Sequence, residues 1–162
     1  MNRRQLLKSA PVAACVTASP AVASGQRADE NKDIVGSWFT TLAFTNAPVG
    51  EVKALFSFHE GGVVTATARY LVKATPLGDL METSGHGAWA RAGHRMFRVV
   101  EQLFLQSVQS GAVIGTDELQ MSLVTSQDRQ TLSGTFALRG KDLSGGIMFE
   151  AAGTFSATRI AA

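Results

Sequence analysis

Two acidic residues, Glu101 and Asp117, occur where the alternating neighbours are apolar, and carboxylates in such a setting can transfer protons. Pairing Leu105 with Val113 across a turn at 107–111 would place Glu101 opposite Asp117, both on the inner face of a sheet. Two carboxylates this close repel each other, so that the pKa of one rises and the pair can share a proton. The alternative is a bulge that turns one of them to solvent, because a slip of one residue reverses the face.

His86 is the third candidate for proton transfer, within the segment Gly85-His86-Gly87-Ala88-Trp89. We expect it near the open end of its strand, where it would donate a proton or orient a ligand; a hydrogen-bonded structural histidine is the alternative. His59 and His94 are expected at the opposite end, so we predict no three-histidine metal site. We also predict no cofactor, because the chain has neither a phosphate-binding glycine loop nor a dinucleotide fingerprint.

Strands must position these side chains, since helical periodicity is weak and alternation, β-branched residues and Gly-rich turns dominate. We predict eight strands, at 34–45, 51–58, 62–71, 86–91, 94–106, 112–125, 131–139 and 146–160. The connections after the second, fourth and sixth strands are short, and the other four are longer. In a meander these two sets lie at opposite ends. The sequence therefore predicts an all-β fold, an eight-stranded antiparallel up-and-down β-barrel closed at the tight-turn end.

The longest connection, 72–84, carries Leu77, Leu80 and Met81 and is expected at the open end. It is either a lid with its apolar side chains facing the interior or a loop packed on the outer wall. The sequence favours neither.

The inner face of the predicted barrel is mostly apolar. Alternation predicts these ligand-contacting residues: Leu42, Phe44, Ala54, Phe56, Tyr70, Trp89, Val99, Leu103, Leu119, Met121, Phe136 and Phe149. Several inward positions are small, among them Gly115, Gly134 and Gly153. Small residues leave room for a ligand or mark close approach of bent strands, and we favour the cavity.

Trp38 begins the first strand and Arg159 ends the last, so both are expected at the closed end. An Arg guanidinium can lie on an indole ring and donate to nearby carbonyl groups, which predicts a structural pair that seals the floor. Gly36-Ser37-Trp38 with Arg159 resembles the closure signature of lipocalin and calycin barrels.

Further segments, Phe56–Val63, Gly85–Trp89 and Leu132–Thr135, are similar to a group of small exported bacterial lipocalin-like proteins, and more distantly to allene oxide cyclase-like barrels. The resemblance implies a lipocalin- or calycin-like fold. Members of the group mostly lack an assigned activity, so it implies little about function.

The first 23 residues have the pattern of a signal peptide, with Arg3-Arg4 resembling a twin-arginine signal and Ala21-Val22-Ala23 a cleavage site. An ordinary secretory signal is one alternative, and a lipoprotein anchored through Cys15 is another. We predict three regions: signal peptide 1–23, flexible arm 24–33 and barrel 34–162. The expected location is periplasmic or secreted, with no transmembrane segment.

Composition limits the partners. The predicted leader holds 3 of the 15 Lys and Arg residues, which leaves 12 against 13 Asp and Glu. No basic stripe remains, so nucleic-acid binding is not expected. Cys15 is the only cysteine, so the mature chain would form no disulfide.

Three functions remain open. The first is an exported lipocalin-like barrel that binds a small hydrophobic molecule, with a homodimer left open. The second is a cofactor-free isomerase or cyclase that uses Glu101, Asp117 or His86 for acid–base catalysis. The third is a filled barrel with a structural role. We expect the binding protein.

Overall fold

The structure is a computed structural model that describes residues 32–47, 50–68, 71–75 and 78–161. The predicted signal peptide, most of the predicted arm, Cys15 and the ligand candidate Tyr70 lie outside the described residues. No helix occurs in the described part of the chain, and hence none that is long and apolar enough to cross a membrane.

The ten strands have the following bounds: β1 Gly36–Phe44, β2 Glu51–Phe58, β3 Val63–Ala68, β4 Leu71–Thr75, β5 Gly78–Glu82, β6 Gly85–Gly93, β7 Met96–Ser107, β8 Val113–Thr125, β9 Thr131–Asp142 and β10 Ile147–Arg159. Eight of them pair antiparallel in the cyclic order β1-β2-β3-β6-β7-β8-β9-β10, and β10 returns to β1. The predicted eight-stranded antiparallel barrel is therefore confirmed, because the ring leaves no open edge.

The strands β4 and β5 form a hairpin that lengthens one side of this barrel. β5 pairs with β4 and also with β7, where Glu82 lies opposite Leu105. The segment expected to be a loop is thus mostly strand in its described part. Leu80 is buried, as the lid interpretation expected, whereas Met81 is exposed, and Leu77 lies outside the described residues. The physical reason for the strand lies in Leu80, which is buried in the extended wall when β5 joins β7.

The closed end is built as predicted. The three short turns between β2 and β3, β6 and β7, and β8 and β9 lie at the same end as the start of β1 and the end of β10. Gly61 and Gly62 adopt positive φ angles of 86° and 87°, which a glycine accepts without steric cost.

Trp38 and Arg159 form the predicted floor contact. They are paired across β1 and β10, and the guanidinium carbon lies 4.2 Å from the centre of the indole ring. The guanidinium donates hydrogen bonds to the carbonyl groups of Val35 at 2.6 Å, Asp33 at 2.9 Å and Arg129 at 2.8 Å. The indole Nε1 donates to the Ile34 carbonyl at 2.9 Å. Cation–π contact and hydrogen bonding therefore seal one end of the barrel.

Gly36 makes this contact possible. Its φ angle is +130°, and a Cβ atom there would lie 2.6 Å from the Arg159 Nη1 atom. A side chain at this position would both strain the backbone and displace the guanidinium from the Val35 carbonyl.

Candidate ligand site in the barrel interior

The closed half of the interior is filled by aromatic rings. Phe58 and Trp89 meet edge to face with centroids 6.5 Å apart, and Trp89 meets Phe97 in the same way at 5.8 Å. Phe56 meets Phe155 edge to face at 5.5 Å. This packing fills much of the closed half with side chains, and the interior cavity lies toward the other end.

A cavity does occur in the other half. Its walls are formed by Leu42, Phe44, Val52, Ala54, Phe56, Ala66, Ala68, Glu82, Glu101, Leu103, Leu119, Phe136 and Leu138. The unfilled space totals about 440 Å³ when its opening to solvent is included, but the centre of a water-sized sphere can move through only about 30 Å³ of it. The smaller figure describes the enclosed space, which suffices for a few atoms.

The predicted ligand-contacting residues divide between this cavity and the packed core. Seven line the cavity: Leu42, Phe44, Ala54, Phe56, Leu103, Leu119 and Phe136. Trp89, Val99 and Met121 are buried but do not line it, and Phe149 packs against the edge of the core. Alternation assigned the face of these residues correctly, but it did not indicate their height along the barrel axis.

The inward glycines do not create the cavity. A Cβ atom at Gly115 would overlap the Lys141 carbonyl, one at Gly134 the Ser122 carbonyl, and one at Gly153 the Ala43 carbonyl. These glycines mark places where neighbouring backbone comes close, so the prediction that they leave room for a ligand was wrong at all three positions.

Glu101 and Asp117 both point inward and are completely buried. They do not lie directly opposite each other, because Asp117 pairs with Leu103 and Glu101 pairs with Leu119. The predicted register was wrong by two residues, and a bulge at Leu105 interrupts the pairing near the turn. Since a shift of two residues keeps the face, the carboxylates remain on the same inner surface as diagonal neighbours.

Gly85 and Gly87 make room for Glu101. A Cβ atom at Gly85 would overlap the Glu101 carboxyl group, and one at Gly87 would overlap the backbone at Val100 and Glu101. The pair Gly87 and Glu101 is in register between β6 and β7. The Gly-x-Gly pattern that accompanied His86 in the sequence therefore serves the buried carboxylate.

His86 itself faces outward. Its side chain is exposed, while its neighbours Gly85 and Gly87 face the interior with Trp89. His86 was thus a wrong candidate for the interior site. The alternation that places Trp89 inside fixes the opposite face for His86.

Glu82 is a third carboxylate that the sequence analysis missed. It is half-buried on β5 and lines the cavity with Glu101. Burial, the negative charges of Asp117 and Glu101, and a hydrogen bond to Asp117 raise the pKa of Glu82 well above its usual value. Glu82 escaped notice because its segment was expected to be a loop, although Leu80 and Glu82 alternate as in a strand.

Burial also shifts the other two carboxyl groups. It raises the pKa of Glu101 from 4.5 to about 7. It raises the pKa of Asp117 from 3.8 to about 6, although a hydrogen bond with Glu82 acts in the opposite direction. Protonated Glu82 can donate to Asp117, whereas two ionised carboxylates have no donor to offer each other.

The buried carboxylates otherwise lack donors. Among the described residues, neither oxygen of Glu101 accepts a hydrogen bond, and Asp117 has no partner besides the Glu82 carboxyl group. The described cavity lining besides Glu82 and Glu101 is apolar. The described residues contain no group of three or more His, Cys, Asp or Glu arranged to hold a metal ion. The arrangement can accept hydrogen bonds from a ligand, or exchange a proton with one near neutral pH.

No model of a protein family and no curated protein sequence matches this chain. Among solved structures, a redesigned β-barrel is similar to it: 13% of residues are identical, the match covers 82% of this chain and 96% of the other, and the TM-score is 0.41. A likeness at that level carries no conclusion about activity, so the barrel architecture rests on the strand pairing, and the functional argument rests on the interior.

Proposed function

We propose that this barrel binds a small, largely hydrophobic molecule in the unfilled half of its interior. The observation that carries the proposal is Glu101, completely buried at the cavity wall with neither oxygen hydrogen-bonded among the described residues. Burying a carboxyl group without a partner costs free energy, and native proteins rarely do so without a compensating contact. A bound molecule would supply that contact, while the surrounding apolar walls would bury its hydrophobic part.

The size of the enclosed space limits the ligand. About 30 Å³ for the centre of a water-sized sphere accepts only a small group in the present packing. A larger ligand needs movement at the cavity edge, where Phe44, Ala68 and Glu82 are half-buried. These residues are partly exposed, so this is the side from which a ligand would enter.

A second candidate is a cofactor-free isomerase or cyclase. It is favoured by one observation: Glu101 borders the cavity with a pKa raised to about 7 by burial. An acid with such a pKa can both take and return a proton near neutral pH. In this mechanism Glu101 transfers the proton, and its burial sets the pKa that allows it to do so.

The leader remains part of the proposal as an expectation about location. Export through a signal peptide ending near Ala23 would leave a periplasmic or secreted barrel. The mass of the protein recovered from the periplasm tests this. Cleavage after Ala23 supports it, an uncut chain in the cytoplasm contradicts it, and a lipid-modified Cys15 would indicate the lipoprotein alternative.

The binding proposal is tested by filling the cavity. Ala54 is buried in its wall, and Ala54→Leu adds three carbon atoms to the space that a ligand would occupy. We expect this variant to remain folded with at most moderate destabilisation, about 1–3 kcal/mol, and to lose binding of a neutral fluorescent probe such as N-phenyl-1-naphthylamine.

Ala137→Leu is the matched control, because Ala137 is exposed on the outer face of β9. It should bind the probe as the unaltered protein does. Equal probe binding by Ala54→Leu and the unaltered protein, with both folded, would contradict an interior site. Native mass spectrometry of the purified protein adds a direct search for a retained metabolite.

A further inference from the structure

We propose that the interior ligand carries a protonated amine, which binds to the carboxyl groups of Glu82 and Glu101 at the cavity wall, beside the buried Asp117, while its hydrophobic part contacts the aromatic wall. This inference rests on the proposed binding function and specifies the chemical class of the ligand. The amine would supply the hydrogen-bond donors that the described interior lacks.

The first argument is the mismatch between acceptors and donors. Glu101 and Asp117 are completely buried, and their four carboxylate oxygens have no donor among the described residues apart from a protonated Glu82. The described residues that line the cavity include no Lys, Arg, Ser, Thr, Asn or Gln side chain. An ammonium group has three N–H donors and no acceptor, so it complements a cluster that has only acceptors when ionised.

The second argument is the composition of the walls around these acids. Phe44, Phe56 and Phe136 line the same cavity, and Phe44 meets Phe136 edge to face with ring centroids 5.0 Å apart. Aromatic faces attract cations, and the attraction is greatest where water is excluded. A carboxylate ligand would meet repulsion from the three acids, and an alcohol would provide one donor and no charge.

The third argument is the local charge. The titratable groups that face Glu101 from the described elements around it are Glu82 on β5 and Asp117 on β8, and the neighbouring β6 presents glycine at positions 85 and 87. Burial, together with repulsion from Asp117 and Glu101, raises the pKa of Glu82, and a bound cation would relieve the repulsion. Alkylamines stay protonated well above neutral pH, so amine binding should strengthen as the pH rises and these acids ionise.

The experiment compares three probes of equal length: n-hexylamine, 1-hexanol and hexanoate. Isothermal titration calorimetry measures the binding of each to the full chain, at pH 5 and at pH 8. We expect hexylamine to bind at least about tenfold more tightly than hexanol at pH 8, with a smaller advantage at pH 5 and the weakest binding for hexanoate.

Glu101→Gln and Asp117→Asn keep the shape of each side chain and remove its charge. Each should reduce the ratio of hexylamine affinity to hexanol affinity at pH 8, whatever its effect on hexanol binding itself. Glu60→Gln is the control, because Glu60 is an exposed glutamate in the turn between β2 and β3. It should retain the full advantage, and thermal melts verify that each variant is folded.

The outcomes separate the two proposals. If hexanol and the fluorescent probe bind but hexylamine has no advantage, or if its advantage survives both carboxylate variants, the amine inference is overturned and the binding function stands. If the fluorescent probe and all three test molecules fail to bind, the binding function is overturned, and the amine inference falls with it.

Discussion

The two ends of this barrel treat buried charge in opposite ways. At the closed end, Asp33 lies 2.7 Å from Arg129 and 3.1 Å from Arg91, and Arg159 donates to three carbonyl groups above the Trp38 ring. In the other half, Glu101 and Asp117 are buried without a cation nearby among the described residues. The closed end therefore has the charge pairing expected of a structural element. The unfilled half has buried hydrogen-bond acceptors without donors, as expected of a site that awaits a ligand.

The comparison teaches that one continuous sheet can enclose a tightly packed half and an unfilled half that contains acidic side chains. Interlocked aromatic rings fill the closed half, while a small cavity and three carboxylates occupy the other half. Unpaired buried carboxylates lower the stability of the folded state, so the closed half must compensate for them. Three predictions test this division.

The largest expected effect is at the floor. Trp38→Ala removes a completely buried indole together with its contact to Arg159, so the free energy of unfolding should fall by about 3–5 kcal/mol. Phe39→Ala is the control, because Phe39 is the next residue of the same strand and is 51% exposed. Chemical denaturation measures both. A loss for Trp38→Ala no greater than for Phe39→Ala would show that the floor contact does not stabilise the barrel.

The next effect concerns pH. Because the pKa of Glu101 rises from 4.5 to about 7 on folding, the folded protein holds a proton that the unfolded chain releases between those values. Stability should therefore be greatest below about pH 4.5 and fall as the pH rises toward 7, by on the order of 3 kcal/mol for this group. Asp117, raised from 3.8 to about 6, acts in the same direction.

Glu101→Gln isolates this effect, since the amide does not ionise. Denaturation curves between pH 4.5 and 8 should show a smaller loss of stability for this variant, and Glu60→Gln should behave like the unaltered protein. A Glu101→Gln variant with an unchanged pH profile would show that this carboxyl group does not titrate abnormally, and the contrast between the two ends would weaken.

The smallest effect tests the fit between Gly85 and Glu101. Gly85→Ala places a methyl group on the carboxyl of Glu101, which should cost about 1–3 kcal/mol. Gly93→Ala is a milder control, because the nearest atom to its Cβ would be the Met96 sulfur at 3.4 Å. In the double variant with Glu101→Ala, the cost of Gly85→Ala should shrink. Additive losses instead would mean that the two residues do not compete for the same space.

The sequence was sufficient to predict the features that depend on local pattern. Alternation and turn spacing predicted the barrel strands and the closed end. An indole on the first strand and a guanidinium on the last predicted the contact of Trp38 with Arg159. Alternation also placed Glu101 and Asp117 inside. These features repeat every two residues or lie at strand ends, so the order of residue types along a short stretch is enough to predict them.

The features that depend on long-range geometry were not predicted. The pairing of Glu101 with Leu119 was not predicted; a bulge at Leu105 accounts for one residue of the two-residue difference in register, and no residue near the turn signals it. The role of Glu82 depends on the pairing of β5 with β7, between segments that are distant in sequence. Neighbouring backbone occupies the space beside Gly115, Gly134 and Gly153, and this depends on how closely the strands approach each other. In contrast, the outward direction of His86 was available from the alternation around Trp89.

The most direct test of the central claim is an NMR titration of the carboxyl carbon of Glu101 in the full chain. A buried group without a cationic partner should titrate near pH 7, far above the ordinary 4.5, and addition of hexylamine should lower the midpoint. A midpoint near 4.5 in the free protein would mean that Glu101 is hydrated or paired, and the account of an unfilled, acid-lined interior would be contradicted.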